Sequence, residues 1–98
     1  MARPPLLDDA ALAAALSSPD APAWELVGGR LVKVVACPNF PAALEFVVAV
    51  GRLAEEVDHH PDIDIRWRTV TLALITHDAG GLTELDFALA RAIDGISV

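Results

Sequence analysis

Residues 63–74, IDIRWRTVTLAL, decide the fold class of this chain. Apolar side chains occupy the odd positions from Ile63 to Trp67 and the even positions from Val70 to Leu74. Because a strand keeps its apolar side chains on one parity, this change of phase predicts a turn or bulge near residues 68–69. The stretch is therefore interpreted as a hairpin of two short strands.

The segments on either side of this hairpin predict three helices and a second hairpin. They are, in chain order, a helix from Asp8 or Asp9 to about Leu16, strands over residues 24–27 and 30–36 around a Gly28-Gly29 turn, a helix over residues 39–57, and a last helix that begins at Thr83. The order is α-β-β-α-β-β-α. Hairpins separated by helices predict an α+β fold, in which a four-stranded antiparallel sheet has helices packed on one face.

Length and charge limit what the chain can do. Its 98 residues are expected to form a single domain over residues 1–98, with a loose N-terminal tail over residues 1–7. Lys+Arg 7 against Asp+Glu 14 gives a net charge of -7, which argues against nucleic acid or an anionic membrane as partner. Cys37 is the single cysteine, so neither an intramolecular disulfide nor a Cys-based zinc site is expected. No stretch reaches the ~18–20 apolar residues of a membrane span, and we expect a cytoplasmic location.

The helix over residues 39–57 carries two apolar stripes, whereas a helix on the surface of a domain needs only one. One stripe consists of Phe40, Leu44, Val47 and Val48, and the other of Phe46, Val50, Leu53 and Val57. The second stripe is expected to face another helix, another face of the fold or another subunit. If it meets another subunit, a charged substitution at Phe46 or Val50 is expected to weaken self-association.

All three histidines lie at two predicted junctions, His59 and His60 at a helix end before Pro61 and His77 at a strand end. One interpretation is purely structural, because histidines in a last helical turn interact favourably with the helix dipole. A metal site is a second interpretation, but adjacent histidines do not share a helical face and cysteine ligands are lacking. Acid–base chemistry fits better, because imidazole titrates near neutral pH and both donates and accepts protons.

Two blocks of sequence, AEEVDHHPD at residues 54–62 and THDAGGLTELD at residues 76–86, together resemble the pterin-4a-carbinolamine dehydratase family. The family has a helix that ends in His-His-Pro, an aromatic residue soon afterwards (Trp67 here), and a Thr-His turn followed by an aspartate in the last helix. The similarity extends over about residues 8–96. It implies a four-stranded antiparallel sheet with helices on one side, in agreement with the predicted element order.

The resemblance implies dehydration of a 4a-hydroxytetrahydropterin, a 4a-carbinolamine, to the quinonoid dihydropterin plus water. This reaction serves the recycling of the tetrahydropterin that aromatic amino-acid hydroxylases use, so a hydroxylase is a pathway partner. Departure of the hydroxyl group from C4a needs an acid, and formation of the C=N bond needs a base, which imidazoles supply without a cofactor or metal. The resemblance also implies a homodimer or homotetramer.

The match to the family motif implies a set of site residues. The catalytic residues are expected to be His59, His60 and His77, and the substrate-binding residues Asp58, Ile75, Thr76, Asp78, Glu55 and Asp86. Asp86 has a second interpretation, because Thr83 and Asp86 are spaced as a helix capping box. The sequence does not assign the acid and the base among the histidines. The alternative to an enzyme is a non-catalytic protein-interaction module of the same fold.

Overall fold

A four-stranded antiparallel sheet forms the centre of the computed structural model, which describes residues 4–98. The strands are β1 (Glu25–Val27), β2 (Arg30–Ala36), β3 (Asp62–Arg66) and β4 (Thr69–Leu74), and they lie in the order β1-β2-β4-β3. The helices are α1 (Asp9–Ser17), α2 (Phe40–Val57) and α3 (Glu84–Asp94). The predicted α+β fold and element order are confirmed.

The phase change in residues 63–74 is a two-residue turn between β3 and β4. Ile65 pairs with Val70, and Arg66 with Thr69, so that residues 67 and 68 form the turn. Trp67 has a φ of 55°, the left-handed conformation that such a tight turn requires. Residues of odd number in β3 and of even number in β4 therefore share one face of the sheet, which is the face that the helices cover.

Helix α2 turns Phe46 and Val50 of its second predicted stripe inward, whereas Val57 at the end of that stripe is 49% exposed. Phe46 and Val50 are 3% and 0% exposed and pack in the core of their own chain, whereas Val48 of the first stripe is 53% exposed. The expectation that Phe46 and Val50 meet another subunit is therefore wrong. The physical reason is that the small residues Ala43 and Ala54, both buried, extend the Phe46–Val50 line and let α2 approach the sheet closely.

The segment before α1 is anchored, contrary to the prediction of a loose tail over residues 1–7. The Leu7 N–H donates to the Leu82 carbonyl at 2.9 Å, and the Leu7 side chain packs against the core. Residues 1–3 of the predicted tail lie outside the described part of the chain. The tail prediction therefore fails at Leu7, because a backbone hydrogen bond to the segment before α3 holds it.

A cluster of polar groups ties the end of α3 to the first hairpin. Asp94 accepts hydrogen bonds from the Lys33 ammonium (2.5 Å), the Trp24 indole (2.8 Å) and the Ala23 N–H (2.9 Å). Partial burial of Asp94 favours its neutral form, but these hydrogen bonds outweigh it and hold the pKa of Asp94 below its ordinary value. The cluster therefore depends on an ionised Asp94.

None of the helices within residues 4–98 is long and apolar enough to span a membrane.

Candidate active site

A cleft lies where the end of α2 meets the end of β4. Because β3 and β4 form an antiparallel hairpin, the residues just before β3 and just after β4 come together at one end of the sheet. The cleft has a volume of about 180 Å³. Its lining residues are Asp58, His59, His60, Ile75, Thr76, His77 and Asp78. Trp67 lies in the turn at the opposite end of the hairpin.

The end of α2 directs its two histidines to different surroundings. Asp58 is the C-cap of the helix and has a φ of 51°, and its N–H donates to the carbonyls of Ala54 and Glu55. This left-handed residue reverses the chain direction, so that the side chain of His59 is 6% exposed and that of His60 is 55% exposed. Adjacent histidines thus become one buried and one solvent-exposed imidazole.

His59 is held by the buried carboxylate of Asp86. The His59 Nε2 atom lies 2.6 Å from Asp86 Oδ1, and the Asp86 side chain is 0% exposed. An ionised carboxylate only accepts hydrogen bonds, so the Nε2 atom of His59 must carry the proton in this contact. In the neutral ring the lone pair then lies on Nδ1, which makes His59 a proton acceptor at that atom.

The carboxylate of Asp86 that holds His59 also caps α3, as the spacing of Thr83 and Asp86 predicted. Its Oδ2 atom accepts the Thr83 N–H at 2.9 Å, as a capping box requires, and the Thr76 hydroxyl at 2.7 Å. Three donors therefore converge on a fully buried carboxylate. This fixes the direction of Oδ1 towards His59, and within the described residues no buried side-chain polar atom lacks a partner.

His60 pairs with Glu55, one turn earlier on α2. The His60 Nε2 atom lies 2.9 Å from Glu55 Oε2, and both side chains are largely exposed. A pair in this surrounding is screened by water and contributes only ~0–1 kcal/mol to stability. Glu55 thus contacts His60 from outside the cleft lining, as Asp86 contacts His59.

The segment after β4 forms the other wall of the cleft. The Thr76 N–H donates to the Gly81 carbonyl at 3.0 Å, and a short 3₁₀ turn, His77–Ala79, lies between them. Gly80 ends this turn with a φ of 78°, a conformation that favours glycine. The turn places His77 and Asp78 at the mouth of the cleft, where both are exposed.

The structure brings together every residue that the sequence analysis assigned to the site. Seven of the nine line the cleft, and Glu55 and Asp86 each contact one of its histidines. Thr83 was expected only to cap α3, yet its hydroxyl lies 2.8 Å from that of Thr76 in the cleft wall. The capping box was the signal that located Thr83, but its contact with Thr76 depends on the fold.

Comparison with other sequences identifies the family. The family model described as Pterin 4 alpha carbinolamine dehydratase matches residues 5–96. A protein of Chloroflexus aurantiacus named "Putative pterin-4-alpha-carbinolamine dehydratase" is 54% identical over 92 residues, which are 94% of this chain and 97% of that protein. A protein of Mycolicibacterium smegmatis with the same name is 53% identical over 78 residues, 80% of this chain and 83% of that protein.

Solved structures share the fold. A transcriptional coactivator/pterin dehydratase from Brucella melitensis matches with a TM-score of 0.81 and 28% identity, over 90% of this chain and 94% of that chain. A pterin dehydratase-like protein identified as a RuBisCO assembly factor in the alpha-carboxysome matches with a TM-score of 0.61 and 25% identity, over 80% of this chain and 96% of that chain. With the family match over residues 5–96, these likenesses show that this chain belongs to the pterin-4-alpha-carbinolamine dehydratase family of hydro-lyases.

Proposed function

We propose that the cleft dehydrates a 4a-hydroxytetrahydropterin to the quinonoid dihydropterin plus water by histidine acid–base catalysis. The C4a–O bond breaks, an acid protonates the departing oxygen to give water, and a base removes the N5 proton so that its electron pair forms the C4a=N5 bond. The observation that carries the proposal is the convergence of His59, His60 and His77 on one cleft. Imidazoles in one cleft supply both proton transfers.

His59 is the base in this mechanism. Its Nε2–H is donated to Asp86, which leaves Nδ1 to accept the proton from N5 of the pterin. The positive charge that then develops on the ring lies next to the Asp86 carboxylate, which stabilises it. The acid is one of the two exposed histidines, His60 or His77, because solvent contact lets them regain a proton after each turnover.

The remaining lining residues suit the substrate. A pterin carries N–H and amino donors on its pyrimidine edge, and Asp58 and Asp78 provide carboxylate acceptors at the cleft. Ile75 is half-buried and offers an apolar surface to the flat ring. In this role the enzyme acts in the cytoplasm and recycles the cofactor of an aromatic amino-acid hydroxylase.

The decisive experiment measures turnover of a 4a-carbinolamine by the wild type and by the variant His59→Ala/His60→Ala/His77→Ala. We expect the wild type to accelerate dehydration and the triple variant to lose the acceleration while it keeps its circular dichroism spectrum. Equal rates for the two proteins contradict the proposal. A parallel sample dialysed against a strong chelator is expected to keep full activity, whereas bound zinc near one per chain would favour the metal interpretation.

A second copy of the chain is the proposed partner of α2. Phe40, Leu44 and Val48 form an exposed apolar stripe on this helix, at 45%, 43% and 53% exposure. A row of large apolar side chains on one helix face is typical of an association surface. The same stripe also suits the alternative function, a protein-interaction module, for which the match to a RuBisCO assembly factor is a second support. The triple histidine variant separates the two functions, since an interaction module would not need the histidines.

A further inference from the structure

A buried chain of hydroxyl groups runs behind the cleft, from the start of α3 to the carboxylate that holds His59. The Thr83 Oγ1 atom lies 2.8 Å from Thr76 Oγ1, which in turn lies 2.7 Å from Asp86 Oδ2. Thr76 and Thr83 are 2% and 0% exposed, so water does not compete for these contacts. Both hydroxyls are therefore committed to protein partners.

The proton positions in this chain follow from the number of donors each group has. The ionised Asp86 only accepts hydrogen bonds, so Thr76 must donate its single hydroxyl proton to Asp86. Thr76 therefore cannot donate to Thr83, and the hydroxyl of Thr83 must donate to Thr76. Thr83 in turn accepts the Leu85 N–H at 3.2 Å. All donors thus point the same way, and aligned hydrogen bonds of this kind strengthen one another.

The backbone of Thr76 is also fully engaged. Its N–H donates to the Gly81 carbonyl, and its carbonyl accepts from the N–H groups of Ala79, Gly80 and Gly81. Although Thr76 lines the cleft, it has no free proton to offer a ligand. Its side chain therefore supports Asp86, and its contribution to substrate binding is limited to shape.

We propose that Thr83 is a positioning residue for the dehydration, acting through Thr76 to fix the direction of the Asp86 carboxylate and, with it, the position of the His59 ring. This inference rests on the proposed function, because it needs His59 as the base. A helix cap alone requires only that the Thr83 hydroxyl accept a backbone N–H. The chain of hydroxyl groups also requires that this hydroxyl donate to Thr76. Because valine at this position removes both functions, the loss of a helix cap alone is measured separately at Asn39.

The experiment compares Thr83→Val, which keeps the shape but lacks the hydroxyl, with Thr83→Ser, which retains it. Asn39→Ala is the matched control, because it removes the cap of α2 at the end far from the cleft. We expect Thr83→Val to lower kcat roughly tenfold with KM within about twofold, since a displaced base slows the proton transfer more than it weakens binding. Thr83→Ser is expected to restore kcat, and Asn39→Ala to leave it unchanged.

A second readout reports on His59 without any turnover. In ¹⁵N NMR spectra all three proteins should show the His59 proton on Nε2, but Thr83→Val should show shifted and broadened His59 signals because the ring is no longer held in one position. Unchanged His59 signals and kcat in a folded Thr83→Val would overturn the inference. If the wild type itself dehydrates no carbinolamine, the proposed function fails, while these spectra still decide the positioning role.

The wild type provides a further check if Thr83→Val does not fold. The hydroxyl protons of Thr76 and Thr83 should exchange slowly enough with water to be observed at low temperature, because both are buried and hydrogen-bonded. Rapid exchange of both hydroxyl protons would contradict the chain of hydroxyl groups from Thr83 to Asp86.

Discussion

The Nε2 atom of His59 lies 2.6 Å from the Oδ1 atom of Asp86, although the two residues belong to different segments that meet only in the folded chain. His59 follows the C-terminus of α2, and Asp86 lies in the first turn of α3. The same carboxylate accepts the N–H of Thr83 and completes the cap of α3. The start of a helix and the orientation of an imidazole thus depend on one side chain.

The first prediction concerns the proton on His59. Asp86→Asn keeps the shape of the side chain and an oxygen for the Thr83 N–H, but its amide group can donate to His59. Nε2 then becomes the acceptor, and Nδ1 carries the proton and is no longer a base. We expect kcat to fall by about 10²-fold or more, because a histidine in the wrong tautomer cannot accept the substrate proton. Steady-state kinetics of dehydration measure this effect.

The control for this substitution is Asp8→Asn, at the N-cap of α1. Asparagine caps a helix as well as aspartate does, so activity and thermal stability should both stay at the wild-type level. Full activity of Asp86→Asn would show that Asp86 is only a cap.

The second prediction concerns the left-handed residue Asp58. Its φ of 51° is a conformation that glycine adopts without strain, so Asp58→Gly should leave the free energy of unfolding unchanged or raise it by up to about 1 kcal/mol. Loss of the carboxylate from the cleft should raise KM several-fold. Denaturant unfolding and steady-state kinetics test the two effects. Asp58→Asn separates charge from backbone conformation, and an unchanged KM in Asp58→Gly removes Asp58 from the site.

The third prediction separates the two stripes of α2. Val48→Glu, on the exposed stripe, should shift the protein towards monomer in sedimentation without loss of the fold. Val50→Glu, in the core, should destabilise the fold by several kcal/mol, because it buries an unpaired charge. Ala13→Glu, at an exposed position on α1, is the control and should change neither property. A wild type that is monomeric at micromolar concentration contradicts self-association through this stripe.

The fourth prediction is a pH dependence of stability that arises at Asp94. Because hydrogen bonds hold its folded-state pKa below the unfolded value, Asp94 stabilises the fold above about pH 4, and this contribution is lost as the pH falls through the folded pKa. Asp94→Asn should therefore lower the free energy of unfolding most at neutral pH. The difference from wild type should shrink below about pH 4.

Urea unfolding followed by the fluorescence of Trp24, which contacts Asp94, measures this difference. Asp20→Asn, in an exposed loop, is the matched control and should behave as wild type at every pH. A difference that stays constant from pH 7 to pH 3 would show that the charge of Asp94 is not what stabilises the cluster.

Local patterns in the sequence determined the element order and the two junctions that hold the histidines. The phase change near residue 68 located the β3–β4 turn, because alternation along a strand follows from backbone geometry alone. Thr83 and Asp86 located the start of α3, since a capping box satisfies the first N–H groups of a helix within four residues. The resemblance of two short blocks to a known family predicted that the residues lining the cleft belong to one site.

Contacts between distant segments were decided only by the tertiary structure. Sequence hydrophobicity did not distinguish the Phe46–Val50 stripe from the Phe40–Val48 stripe, and the buried alanines of α2 decided which one packs on the sheet. The cluster around Asp94 was not predicted. A hint of it in the sequence was Lys33, which lies between Leu31 and Val35 on the core-facing side of β2. Lys33 and Trp24, whose side chains contact Asp94, are 61 and 70 positions away from it along the chain.

The division between His59 and His60 has the same origin. Because the two histidines are adjacent, the sequence did not indicate that one is buried and the other exposed. The left-handed conformation of Asp58 and the placement of α3 bury His59 and leave His60 exposed. Periodicity and capping act over a few residues, so the sequence by itself determined the helices, the strands and the histidine-rich junctions. Burial, hydrogen-bond partners and tautomers depend on which surfaces pack together, so only the tertiary structure decided them.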